Sequence, residues 1–345
     1  MKTCRFVLIG VGNIGRRFLE ILVEKQSTLQ NRYGIQLTLI AAVDSSGAAI
    51  HESGLDLQRV VELKRTGEGV AAYPEFGVRG LAALSALERV HADLLVELSP
   101  TNLKHGEPGL SAVTWALSHG MDVVTANKGP LVLAYPRLIA LAAENKRKLF
   151  FSGTVAGGLP TVNIGQRDLI AAHVLLVEGI FNATTNYILT RMESGLSFDE
   201  ALKEAQKAGV AEADPTLDVD GWDAANKLVI VANSVLGMPA TLRDVSVQGI
   251  RGLTREQLLA AKERGHAIKL LATAEPSGPS AYKLAVKPTE LPMDHPLARL
   301  TKWQMGVVYT TDINGTIIAV IEEEGTMATA GAVLRDVVNM LISRR

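Results

Sequence analysis

The sequence predicts an α/β fold in two parts: a parallel sheet with helices on both faces, then a second domain of α+β type. Three observations carry this. Short apolar runs alternate with helical patterns through the first 150 residues, which argues for βαβ units. The first run, "RFVLIGVG", ends in glycines spaced G-x-G-x-x-G and is followed directly by a helical pattern. After about Gly157 the regular alternation stops, and strand-like segments and helices follow in mixed order.

The elements are expected in this order. "RFVLIGVG" is a strand, and "IGRRFLEILVEKQSTL" a helix with Ile14, Phe18, Leu19 and Leu22 at helical spacing. "LTLIAAVDSS" is a strand ending at Asp44; residues 51–85 hold a short helix and a loop. "ADLLVELSP" and "MDVVTANK" are strands with a helix from about Glu107 to Ser118 between them. "PRLIALAAENKRK" is a helix and "LFFSGTVAGG" a further strand. In the second domain, "AAHVLLVEGIFNATTNYILTRM" passes from strand to helix. Ser197 with Glu200 three residues later has the pattern of a capping box. "INGTI" is a hairpin turn, and "TAGAVLRDVVNMLI" a last helix returning to the first domain. The expected boundaries are 1–150, 151–320 and 321–345.

Bulk properties narrow the function. The chain has 345 residues, 47% hydrophobic, with a formal charge of -1. That balance offers no electrostatic footprint for nucleic acid or an acidic membrane. The single cysteine, Cys4, excludes an intrachain disulfide and fits a reducing cytoplasm. No apolar stretch reaches the length of a membrane span. His105, His119, His173 and His266 show no metal-ligand spacing.

The glycine motif, Gly10, Gly12 and Gly15 with Asn13 and Ile14 between, sits where a Rossmann-type nucleotide-binding domain needs it. There the glycines give a tight turn and let the backbone approach a pyrophosphate at a helix N-terminus. Asp44, at the end of the second strand, is placed to bond the adenine-side ribose hydroxyls and to repel a 2′-phosphate. That favours NAD over NADP. Ser45, Ser46 and Arg59 nearby are able to accept a phosphate instead. In open parallel sheets, ligands lie at the C-terminal ends of strands, so Ser99 and Lys128 are candidates for the reacting end of the cofactor.

"GVAEADPTLDVDGWDAANK" gathers Glu212, Asp214, Asp218, Asp220, Asp223 and Lys227 ahead of an apolar helix. Part of this is ordinary helix chemistry. Asp220 is read as a cap, Asp223 as favouring the N-terminal dipole, and Asp223–Lys227 as an i,i+4 pair. The run "LVIV" after Lys227 implies that the helix start is partly buried. A lysine there with a carboxylate partner suits the proton transfer that accompanies hydride transfer at an alcohol.

The run Ala205 to Lys227, "AQKAGVAEADPTLDVDGWDAANK", resembles the signature of homoserine dehydrogenases. "GVGNIG", "SPTNLKHGEPGLSAVTWALSHGMDVVTANKGPL", "GTVAGGLP", "GIFNATTNYIL" and "TAGAVLRDVV" extend the resemblance over nearly the whole chain. It implies oxidation of L-homoserine to L-aspartate 4-semialdehyde, or the reverse, with NAD or NADP, in a homodimer. It implies Lys227 as proton donor or acceptor, and Lys128 near the nicotinamide and the reacting oxygen. Glu212, Asp218 and Asp223, with Thr184, would hold the substrate. Ser99 and Gly325 would lie by the cofactor. Carbonyls of Val155, Gly157 and Leu159 would bind a monovalent cation, sodium or potassium.

The chain departs from the family pattern in places. Ser152 stands where the family has an acid at the cation site. Ala183 replaces the glycine of an "NGT" motif, and "EEEG" (Glu322 to Gly325) shortens a glycine-rich loop. The sequence ends soon after its last helix, so no regulatory domain of ACT type, and no threonine feedback through one, is expected. Two rivals stay open: a dehydrogenase for another amino or hydroxy acid, and a non-catalytic nucleotide-binding regulator.

Overall fold

The computed structural model describes residues 2–278 and 281–343. The chain divides into two compact units, Met1–Gly158 with Thr326–Arg345, and Leu159–Gly325.

The first unit holds seven strands: β1 (Lys2–Ile9), β2 (Ile35–Asp44), β3 (Gly47–Ile50), β4 (Gly77–Arg79), β5 (Leu94–Glu97), β6 (Asp122–Thr125) and β7 (Leu149–Phe150). Their order is β4-β3-β2-β1-β5-β6-β7. The β1–β2, β1–β5, β5–β6 and β6–β7 pairs are parallel. Every residue of β5 and β6 is buried, as expected for parallel strands covered on both faces.

Helices α1 (Asn13–Tyr33), α2 (Leu57–Arg65), α3 (Ala83–Leu87), α4 (Gly109–Ser118) and α5 (Lys128–Glu144) connect the strands. Phe18, Leu19 and Leu22 of α1 enter one core with Phe6 and Leu8 of β1. The C-terminal helix, Met327–Ile342, adds Val333, Val337 and Met340 to that core. Asp336 of this helix is buried and accepts the backbone N–H and Oγ–H of Ser152 at 2.8 and 2.7 Å.

Two expectations need correction. Residues 51–85 hold more than a helix and a loop, and the sheet is not wholly parallel. β3 folds back on β2, and β4 on β3, both antiparallel. These are three- and four-residue strands with no alternation to betray them. The run "LFFSGTVAGG" gives only the two-residue β7. The chain then enters a tight 3₁₀ turn at Ser152–Thr154, and Ala156 and Gly157 both take left-handed backbone angles.

The second unit holds a six-stranded sheet of β8 (Val174–Ile180), β9 (Val245–Val247), β10 (His266–Gly278), β11 (Ala281–Pro292), β12 (Gln304–Thr311) and β13 (Thr316–Glu322). Its order is β13-β12-β8-β10-β11-β9. Only the β9–β11 pair is parallel. Its helices include α6 (Ala183–Glu193), α7 (Phe198–Lys207), α8 (Thr216–Val219), α9 (Trp222–Ser234) and α10 (Arg255–Glu263). The Ser197–Glu200 capping box is formed, and "INGTI" closes the β12–β13 hairpin. Among the described residues, no helix is long and apolar enough to cross a membrane.

Candidate active site

The glycine loop separates what the protein needs from what a ligand needs. A Cβ on Gly10, whose φ is 93°, would fall 2.3 Å from the Leu98 carbonyl. A Cβ on Gly15 would fall 2.2 Å from the Gly10 carbonyl oxygen. These two glycines are demanded by packing. A Cβ on Gly12 would meet nothing within 4 Å. Gly12 is the N-cap of the 21-residue α1, and the first intrahelical bond runs from Arg16 N–H to the Gly12 carbonyl. The amides of Asn13, Ile14 and Gly15 therefore precede the helix ladder, where a helix start favours an anion. Ile14 packs its side chain on the core; Asn13 is exposed. The loop fits a dinucleotide pyrophosphate.

Asp44, expected to meet the ribose, has its carboxylate bonded within the protein. Its Oδ1 accepts Ser46 N–H and Oγ–H at 2.9 and 2.5 Å. Its Oδ2 accepts Lys64 Nζ at 2.6 Å and Val70 N–H at 3.1 Å. Burial pushes its carboxyl up, but Lys64 and the Ser46 donors outweigh this and hold it below the usual range. The carboxylate is engaged by its own loop and neutralised by a lysine.

At the strand tips, Ser99 is buried just past β5, and Lys128 is the first residue of α5. Asn127 caps α5 by accepting Gly129 N–H at 3.0 Å. Pro130 lies in the first turn of this helix, where a missing N–H costs no intrahelical bond.

In the second unit a continuous chain of bonds joins the acids. Asn182 Nδ2 donates to Asp218 Oδ1 at 2.7 Å and to Asp223 Oδ2 at 2.8 Å. Lys227 Nζ donates to the same Asp223 oxygen at 2.7 Å and to the Phe181 carbonyl at 2.6 Å. Burial, and then the neighbouring Asp223 charge, push Asp218 above the usual carboxylate range. The helix that Asp220 was expected to cap starts at Trp222, as α9, and a short separate helix, α8, precedes it across a break at Gly221, whose φ is 86°. Asp220 does not cap it; its carboxylate pairs with Arg251 on the outside. The corner lets Asp218 and Asp223 reach one amide from different helices. Thr184 Oγ donates to the Val210 carbonyl at 3.0 Å, holding the start of the loop that carries Glu212. Glu212 itself is exposed on that loop.

Two family models match successive parts of the chain. Residues 10–152 match "Homoserine dehydrogenase, NAD binding domain", and residues 160–338 match "Homoserine dehydrogenase". The chain belongs to the homoserine dehydrogenase family. It is 38% identical to a homoserine dehydrogenase of Methanocaldococcus jannaschii over 98% of this chain and 99% of that one. It is 33% identical to an NAD(+)-dependent homoserine dehydrogenase of Pseudomonas canavaninivorans, over 99% and 97%. A hyperthermophilic archaeal homoserine dehydrogenase solved with NADPH superposes with a TM-score of 0.85 at 28% identity, covering 99% and 98%. This chain is thus an NAD(P)-dependent oxidoreductase of the homoserine dehydrogenase family.

Against that family pattern, Ala183 opens α6 with an ordinary backbone angle, so the turn does not require glycine there. Gly325 keeps a φ of 78° with open space around it. The loop expected to bind a cation is tied up internally. Ser152 is tied to Asp336, and Arg335 donates to Ser152 Oγ at 3.0 Å and to the Gly158 carbonyl at 3.3 Å. The Leu159 carbonyl already accepts Thr161 N–H. Sequence reading missed Asn182, Arg335, Asp336 and the buried Glu97. Asn182 had a visible signal, since it lies in "IFNATTNY" beside Thr184. The others sit inside apolar runs that read as packing.

Two tests follow. Gly12→Ala should weaken dinucleotide binding at least about ten-fold while leaving the melting temperature within a few degrees. Gly15→Ala should instead destabilise the fold; equal, small effects of both would refute this division. For Asp218, the unfolded carboxyl titrates near 3.9 and the folded one higher. Its contribution to stability is therefore complete below the unfolded value and is lost as pH rises through the folded one. Asp218→Asn should match or exceed wild type in urea midpoint at pH 7, with KM for L-homoserine raised about ten-fold or more. A variant markedly less stable than wild type at pH 7 would contradict the assignment.

Proposed function

We propose that the chain interconverts L-homoserine and L-aspartate 4-semialdehyde, with Lys227 as the proton carrier. The chain of bonds Asp218–Asn182–Asp223–Lys227 is the observation that carries this reading. In the reducing direction the Lys227 ammonium, aimed by Asp223 and the Phe181 carbonyl, gives a proton to the alkoxide formed from the aldehyde. In the oxidising direction the neutral amine takes the hydroxyl proton. The nicotinamide, when bound, supplies the hydride or accepts it. Asp218, with Glu212, Thr184 and Asp223, holds the substrate's ammonium group. Lys128 and Ser99 serve the nicotinamide end, and Lys128 assists at the reacting oxygen. Gly10, Gly12, Asn13, Ile14 and Gly15 hold the pyrophosphate, with Gly325 beside the cofactor.

Both NAD and NADP are proposed as cofactors. Asp44 was expected to favour NAD by meeting the ribose. With its oxygens taken by Ser46, Lys64 and Val70, that preference is slight. The monovalent cation implied by the resemblance is not supported by the residues present. Ser152 stands in place of the acid, and its side chain and the Gly158 carbonyl are already engaged by Asp336 and Arg335. A cytoplasmic homodimer is the proposed setting. The edge strand β13 leaves Ile318 and Val320 49% and 47% exposed, the kind of surface a second copy would cover.

Initial rates of nicotinamide reduction with L-homoserine, with NAD and NADP in turn, test the activity. Lys227→Met should lower kcat at least about a hundred-fold with dinucleotide affinity unchanged. Retained kcat would remove Lys227 from the chemistry. Exchanging sodium or potassium for a large organic cation should leave wild-type rates within about two-fold. In Arg335→Met, cation should begin to matter. A strict potassium or sodium requirement in wild type would restore the cation site.

A further inference from the structure

Glu97 closes β5 with no exposed surface at all, and the reaction scheme above makes no use of it. Its partners are Ser99, Thr125 and Asn127, all neutral. Oε1 accepts Ser99 N–H at 2.9 Å and also Ser99 Oγ–H. Asn127 Nδ2 donates to Ser99 Oγ at 3.3 Å, and the Asn127 side chain also bonds the Glu97 carboxyl. Thr125 Oγ lies 2.9 Å from the Glu97 backbone carbonyl and 3.0 Å from Glu97 Oε2. It also accepts Asn127 N–H at 3.0 Å.

Counting protons narrows what this arrangement allows. Thr125 has one hydroxyl proton. Thr125 Oγ lies about equally far from the Glu97 backbone carbonyl, which can only accept, and from Oε2, and its one proton can satisfy only one of them. With that proton on the carbonyl, the Oε2 contact is a bond only when Oε2 carries a proton and gives it to Thr125. Burial pushes the Glu97 carboxyl up, against the bonds from Ser99, Thr125 and Asn127. A charge buried among neutral partners is costly, whereas a neutral acid there is not. Besides those bonds, the start of α4 favours charge, since Gly109 packs on the carboxyl. A Cβ there would lie 3.1 Å from Oε2 and 2.5 Å from Asn127 Nδ2. A helix end carries only a partial charge.

We propose that Glu97 is a neutral carboxylic acid that positions the cofactor-side residues, its proton donated to Thr125 Oγ. It ties the tip of β5, with Ser99, to the tip of β6. Through Asn127 it fixes the first turn of α5, which carries Lys128. The proposal deepens the reading above and rests on Ser99 and Lys128 serving the nicotinamide end. Glu97 touches neither substrate nor cofactor, so it is a positioning residue.

The test is an infrared difference spectrum at pH 7.5, wild type minus Glu97→Gln, with dinucleotide Kd and kcat for Glu97→Gln and Glu97→Ala. A protonated-carboxyl band should appear in the wild type alone. Glu97→Gln, which keeps a donor for Thr125 without charge, should hold Kd and kcat within about five-fold. Glu97→Ala should weaken NADH and NADPH binding at least about ten-fold. Absence of the band overturns the proposal, as does Glu97→Gln losing as much as Glu97→Ala. If Glu97→Ala fails to fold, the band and the Glu97→Gln constants still decide. A wild type that binds dinucleotide but does not turn over L-homoserine sinks the functional reading instead, while the band and the Kd values still judge Glu97.

Discussion

One side-chain amide, that of Asn182, holds two carboxylates beside each other. Both of its N–H groups are spent on Asp218 and Asp223, and its oxygen caps α6 by accepting Thr185 N–H. Everything else in the substrate half hangs on this arrangement. Without the amide, the two acids would separate by repulsion or one would stay protonated. Asp223 would then no longer aim Lys227. The backbone bends to meet the same need: the corner at Gly221 lets acids five residues apart, on successive helices, converge. A single unbroken helix would place them about 140° apart around its axis.

The nucleotide half solves a related problem with the opposite materials. It must receive a doubly charged pyrophosphate, and it offers backbone amides at a helix start rather than cations. Its own buried acids are dealt with locally. Asp44 is answered by Lys64 and three further donors, Asp336 by Ser152, and Glu97 by neutral partners alone.

Much of this was legible in the sequence because the physics involved is local. The glycine spacing, the Ser197 capping box and the apolar alternation of the central strands all act within a few residues. The i,i+4 placement of Asp223 and Lys227 is of the same kind. What stayed hidden depends on residues far apart in sequence. The bonds of Asp44 to Lys64 and Val70 could not be read, because those residues lie 20 and 26 positions away. Asp220 looked like a cap because the αL angle of Gly221 cannot be told from any other glycine's. Glu97 looked like one polar residue ending a buried strand, and only the β6 tip shows what it bonds. Strands β3 and β4 are too short to carry a pattern.

The last helix has a consequence for how the chain comes into being. Met327–Ile342 belongs to the first unit and brings Val333, Val337 and Met340 into its core. A ribosome delivers the chain from its first residue onward, and domains generally fold as they emerge. Here the unit begun first is finished last, after all of Leu159–Gly325 has been made. Until then its sheet has an uncovered apolar face, and the buried Ser152 loop lacks the carboxylate that satisfies it. The order of synthesis thus makes the intervening unit free to fold on its own schedule, while the nucleotide unit waits for its final sixteen-residue helix.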